Sequence, residues 1–212
     1  MSKIICFDVN GTLVEESSWE IFAQGDKAIE KQIDDIFDGY YSRKISIDEV
    51  WRGLVSTLKK TGRANRDFIY NCWDQFITFK EGAEDLIIYL KEKGYKIYLV
   101  SCSIDISLEC MVKKLDIDGF YAGSHLIFDS LGDLEKITSE CGKGKEFKKE
   151  KLKGLALKEG INVEDIVFVG DGDNDIGVFE MTKRGIAMGE NEKLLNCSWK
   201  QIRSLGEIKD IL

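Results

Sequence analysis

At 212 residues the chain can bury one sizeable core and still carry an insertion. Its 38 acidic residues against 30 basic ones give a net charge of −8, which argues against nucleic acid or an anionic membrane as the main partner. No apolar run is long enough to span a bilayer, and Met1-Ser2-Lys3 passes straight into an apolar strand, so a cytoplasmic protein without a leader is expected.

The first element is the strand Ile4-Ile5-Cys6-Phe7, which ends by presenting Asp8 to a turn at Asn10-Gly11. In parallel α/β sheets ligands sit off the carboxyl ends of strands, so Asp8 is placed to attack a substrate or to hold a cation. Taken alone, Asn10-Gly11 reads equally well as a plain Asx-type turn.

Helical spacing then takes over. A short amphipathic segment spans Trp19 to Ala23, and three longer stripes follow: Ile29 to Tyr40, Ile47 to Leu58, and Phe68 to Ile77. Ser46 with Glu49 forms a capping box for the second stripe. These predict a helical bundle over residues 14–78, inserted into an α/β core made of 1–13 and 79–212. From Glu81 the α/β alternation resumes: a helix through Leu90, a strand Lys96 to Val100, a helix Ile104 to Leu115, and two short β segments within Phe120 to Phe128 that form a hairpin. A lysine-rich helix to Glu159, a strand at Ile166, a helix Ile176 to Thr182, a strand Gly185 to Met188 and a short helix after Gly206 complete the order. The six cysteines lack framework spacing and read as reduced core thiols, Cys6, Cys72 and Cys110 most clearly. His125 is expected in a hairpin or loop, away from chemistry.

The strand at Ile166 runs into Gly170-Asp171-Gly172-Asp173-Asn174-Asp175. Crowded carboxylates repel one another unless a cation compensates, and hard oxygen donors suit Mg²⁺. A solvated acidic turn explains less, because the wholly apolar strand before the loop points it at the same sheet edge as Asp8.

Four segments together resemble the haloacid dehalogenase superfamily: Asp8-Val9-Asn10-Gly11-Thr12, Ser101 after the strand Ile97 to Val100, a lysine in the helix beginning near Lys145, and Gly170 to Asp175. The resemblance runs nearly end to end and is nearest to the phosphoserine phosphatase branch. It implies a three-layer Rossmann-like parallel sheet with a helical cap, and a Mg²⁺-dependent phosphatase that forms an aspartyl-phosphate on Asp8. Registering on Gly160-Ile161-Asn162 implies Lys148 as the catalytic lysine, with Lys145 and Lys149 as the other positions. Ser101 is implied to hydrogen-bond a phosphoryl oxygen, with Gly11, Cys102 and Asn174 beside the substrate. The implied metal ligands are Asp8, Asp171 and the main-chain carbonyl of Asn10; Asp175 joins them or orients a water or Lys148.

Residue 10 departs from the pattern. The resembled enzymes carry an aspartic acid there as general acid and base, and a carboxamide can do neither, so turnover should fall by roughly 10²–10⁴-fold. A deliberate Asp to Asn exchange and a natural loss of activity both account for it, the intact remainder of the motifs favouring the first. Registering the insertion puts Ser17 and Leu54 where that branch binds substrate amine and carboxylate, with Glu16 and Arg52 nearby as the candidate substrate readers. A small phosphorylated metabolite other than phosphoserine is therefore the expected partner. A phosphotransferase or mutase, or a silent phospho-ligand-binding regulator, is the alternative, and oligomeric state is not readable.

Overall fold

Alternate residues of strand β1 (Lys3–Phe7) serve two different apolar layers, and this places the strand in the middle of the molecule. The computed structural model of the chain describes residues 3–15, 19–141 and 146–212. In it Ile5 and Phe7 pack on one side of the sheet against α4 (Ala83–Glu92) and α5 (Asp105–Leu115), while Ile4 and Cys6 pack on the other against α6 (Glu146–Glu159) and α7 (Ile176–Thr182). The same alternation runs through β2 (Tyr95–Ile104) and β5 (Ile166–Gly170), as the two-residue side-chain period of a strand requires. The result is the three-layer α/β fold expected from the sequence.

The remaining strands are β3 (Gly119–Phe128), β4 (Leu134–Ser139), β6 (Gly185–Met188) and β7 (Lys200–Ile202). The sheet order is β4-β3-β2-β1-β5-β6-β7, parallel throughout except for the β3–β4 pair. β1 therefore lies between β2 and β5, and the chain ends of these three strands share one rim. A short helix α8 (Glu192–Leu195) precedes β7, and a 3-10 turn over Leu205–Asp210 closes one face of the sheet.

Between β1 and α4 come a 3-10 turn (Glu20–Ala23) and helices α1 (Lys27–Tyr41), α2 (Ile47–Lys60) and α3 (Arg66–Phe76). Ser46 accepts from the Glu49 N–H while the Glu49 carboxylate accepts from the Ser46 N–H, so the capping box forms as read. The helices bury Phe22, Ile33, Leu54, Leu58, Ile69 and Trp73 in a cluster that continues into Ile104, Cys110, Leu126 and Leu134 of the α/β body. Leu54, at the register position for a carboxylate-binding residue, is buried in that cluster.

Three expectations need correction. The β segments around Phe120 are one continuous strand, and the second arm of the hairpin is β4, whose Leu134-Glu135-Lys136-Ile137-Thr138-Ser139 carries too few apolar residues to stand out. β7 is only three residues long and escapes a periodicity reading for the same reason. Cys6, Cys72 and Cys110 are free and buried, and burial pushes the Cys110 thiol up to about 11, but Cys102 and Cys141 form a disulfide across 39 residues. The bond passes over β3 at Gly123, where an added methyl would collide with the Cys141 sulfur, so its partners become neighbours only once the sheet is assembled. Among the described residues no helix is long and apolar enough to cross a membrane.

Candidate active site

Asp8 follows the last residue of β1, and its N–H donates to the Val169 carbonyl of β5 at 2.9 Å, which extends the parallel ladder by one step and fixes the side chain at the sheet rim. The Val9 carbonyl then accepts from the N–H groups of Thr12, Leu13 and Val14, folding the chain into a tight loop. Gly11 turns this loop at φ +78°, and a methyl group there would collide with the Asp171 carboxylate. Thr12 donates its hydroxyl to Asp171 Oδ1 at 2.7 Å, and the Lys80 ammonium donates to the Gly11 carbonyl at 2.6 Å.

Lys148 of α6 is the lysine that enters the site. Its Nζ lies 2.7 Å from Asp8 Oδ2 and 2.5 Å from Asp175 Oδ1, and all three groups are buried. Burial on its own lowers the Lys148 ammonium, but Asp8 and Asp175 together outweigh it and leave it raised and charged. Lys149 pairs with Glu146 at the helix surface, and Lys145 lies outside the described residues.

The acidic loop divides its side chains among separate tasks. Asp175 Oδ2 accepts from the N–H groups of Asp171 and Gly172, both at 3.1 Å, while its other oxygen holds Lys148. Asp173 turns to Lys193 at 2.6 Å and Asn191 at 3.0 Å, so it takes no part in the cluster of carboxylates. Asp171 faces Asp8 and Thr12. Burial raises the Asp171 carboxyl, the Thr12 hydroxyl opposing and Asp8 reinforcing that shift. Burial likewise pushes Asp175 up to about 7 against the pull of Lys148.

Oxygen atoms of Asp8, Asp171 and Asp175 all lie within 4.8 Å of one another. Among the described residues the three carboxylates face the Lys148 ammonium, with the Lys80 ammonium acting on Asp171 from the Gly11 carbonyl, so the cluster is still short of positive charge. Every donor is a hard oxygen, and the described residues bring no imidazole or thiolate to it, which fits Mg²⁺. Asp175 is turned to Lys148 and to the loop N–H groups, whereas Asp8 and Asp171 line the cavity, so these two are the carboxylates that face an ion.

Above this cluster lies a cavity of about 270 Å³. Asp8, Asn10, Asp171 and Asn174 line its floor, together with Ser101, Cys102 and Ser103 from the end of β2. The Ser101 and Ser103 hydroxyls are 3.1 Å apart. Trp19 and Trp51 of the helical insertion form the facing wall. Arg52 belongs instead to a larger groove of about 540 Å³, between α2 and β4 and lined also by Asp48, Lys59 and Glu135. Glu16 and Ser17 lie outside the described residues. His125 sits on β3 with Nδ1 3.3 Å from Asp105 Oδ2.

The sequence motifs include Thr12 without implying a role for it, and they do not point to Lys80, Ser103, Trp19 or Trp51 as site residues. Ser103, two residues beyond Ser101 at the end of the same apolar run, is the most accessible signal among them. Lys80 carried none, since only the fold brings it to Gly11.

A carboxylate at a strand end, held by a buried lysine beside an acidic oxygen site and strand-end hydroxyls, is suited to take a phosphoryl group from an ester, and the class so defined is that of phosphoric monoester hydrolases. The family model for haloacid dehalogenase-like hydrolases matches residues 5–180. Phosphoserine phosphatase of Methanocaldococcus jannaschii is 33% identical over 193 residues, 87% of this chain and 84% of that protein. The enzyme of the same name from Lactococcus lactis is 30% identical over 185 residues, 87% of this chain and 82% of its own. A solved phospho-aspartyl intermediate analogue of phosphoserine phosphatase superposes with a TM-score of 0.78 at 32% identity, covering 100% of this chain and 99% of that one. A substrate-bound phosphoserine phosphatase complex gives 0.78 at 30% identity, with 100% and 99% covered. The chain belongs to the haloacid dehalogenase-like hydrolase family, on its phosphoserine phosphatase branch.

Proposed function

We propose that the chain is a Mg²⁺-dependent phosphatase of a small phosphorylated metabolite, with Asp8 as nucleophile and with turnover limited by Asn10. The observation that carries this reading is the buried Asp8–Lys148–Asp175 array facing the cavity that Ser101, Asn174 and Asp171 share. Asp8 and Asp171 would hold Mg²⁺, whose positive charge would let an anionic carboxylate approach an anionic phosphoryl group. The Asp8 carboxylate attacks phosphorus as the ester P–O bond breaks, giving an aspartyl-phosphate and an alkoxide. Lys148 stays charged beside Asp8 and balances the transferring phosphoryl, while Ser101 donates to one of its oxygens. Asn10 lines the cavity where the leaving oxygen departs, but its carboxamide can neither protonate that alkoxide nor take a proton from the hydrolytic water. Both proton transfers are left to solvent, which makes each half-reaction slow. Residues 14–78 act as the cap over this site, excluding water during transfer.

Asn10→Asp tests the assignment. Expected is a rise of roughly 10²–10⁴-fold in Mg²⁺-dependent hydrolysis of a minimal aryl phosphate. An unchanged rate would show that residue 10 is not beside the leaving oxygen, and activity in Asp8→Ala would remove the aspartyl-phosphate.

A further inference from the structure

Among the described residues, the helical insertion contributes two aromatic side chains, Trp19 and Trp51, to the cavity wall. Trp19 and Trp51 stand with ring centroids 5.6 Å apart and planes at 43°. Trp19 is buried and held by Phe22 at 5.8 Å and Phe37 at 6.1 Å, so its ring is fixed by packing rather than free to swing away. Trp51 is half-buried and separates the cavity from the larger groove that contains Arg52.

Among the described residues lining the cavity there is no arginine or lysine. Lys148 is behind Asp8, with two carboxylates already on its ammonium. Among these described residues a substrate carboxylate would meet no cation, and an enclosed charge left unpaired is costly. The described carboxylates of the cavity, Asp8 and Asp171, are committed in the phosphatase reading to the phosphoryl group and the cation, so among the described residues a substrate ammonium fares no better. What the wall does offer is two indole surfaces, which gain most from flat or apolar bodies that stack or pack on them.

Resting on the phosphatase reading above, we propose that Trp19 and Trp51 read the leaving group and that the chain takes phosphate monoesters of uncharged aromatic or apolar alcohols in preference to amino-acid phosphates. The two tryptophans act as specificity residues, touching the alcohol while Asp8 and Ser101 meet the phosphoryl group.

Binding without turnover separates this proposal from the phosphatase reading. With Mg²⁺ present, the affinities of benzylphosphonate and of 2-amino-4-phosphonobutyrate, the phosphonate counterpart of phosphoserine, are measured by isothermal titration calorimetry. Benzylphosphonate should bind at least tenfold more tightly, and Trp51→Ala should reduce that ratio fivefold or more. Trp51→Phe, which keeps an aromatic face, should retain most of it and controls for damage to the fold. An amino-acid phosphonate bound as tightly as the benzyl compound, or a ratio untouched by Trp51→Ala, overturns the proposal even if the protein proves an active phosphatase. If the predicted ratios hold in a protein that hydrolyses no ester after Asn10→Asp, the pocket assignment stands and the catalytic reading falls.

Discussion

Gly11 and Lys148 hold the site together by opposite means, one by leaving space and the other by filling it with charge. Gly11 combines a left-handed φ with a position where an added methyl would collide with Asp171, so Gly11→Ala should strain the backbone and displace the Asp171 carboxylate together. The expected result is a loss of about 1 kcal/mol or more in stability and a clear drop in Mg²⁺ affinity, read by thermal melting and by calorimetric titration. Lys148→Met removes the ammonium shared by Asp8 and Asp175 and leaves two buried carboxylates facing each other. Breaking such an array costs on the order of 3–5 kcal/mol. Urea unfolding should show the loss, and saturating Mg²⁺ should restore part of it, because the cation replaces some of the missing charge. A loss of stability that Mg²⁺ leaves untouched would mean that the lysine acts through packing alone.

The secondary elements explain which parts of the molecule sequence reading could reach. Strands buried on both faces announce themselves as apolar runs, and β1, β2 and β5 carry the three rim positions Asp8, Ser101 and Asp171; hence the core of the site was legible before the fold was known. The cap helices were legible through their spacing and the Ser46–Glu49 box. Short or polar edge strands such as β4 and β7 have no such signature. Arg52 illustrates a different limit: spacing places it on the right helix, but rotation about that helix decides between two cavities, and Trp51 takes the one over Asp8. The Cys102–Cys141 bond was out of reach for a third reason, since the sheet order that unites its ends is not written locally. Closing a loop of 39 residues should add about 3–4 kcal/mol. Reductant, or Cys141→Ser, should therefore lower the melting temperature by several degrees, and Cys197→Ser, which alters a thiol outside this bond, should not.

At the level of the whole molecule, binding and folding are linked, because the carboxylate cluster requires β1 and β5 to be paired. Mg²⁺ at a hundred times its dissociation constant should stabilise the chain by about 2.7 kcal/mol. The shift should vanish in Asp171→Ala, and equal stabilisation of that variant would place the ion elsewhere. The helical insertion shares one apolar cluster with Ile104, Cys110, Leu126 and Leu134, so it is packed onto the α/β body rather than held by the chain connections alone.

The central position of β1 also has a price in biosynthesis. Its two neighbours begin at Tyr95 and Ile166, so Ile4-Ile5-Cys6-Phe7 leaves the ribosome long before either edge it must pair with exists. At about 5–20 residues per second the wait for β5 lasts on the order of ten seconds or more. Throughout that interval the segment leading to Asp8 is an unpaired apolar strand. A nascent chain arrested before β2 is complete should thus be held by chaperones and sensitive to protease, and one arrested after β5 should not.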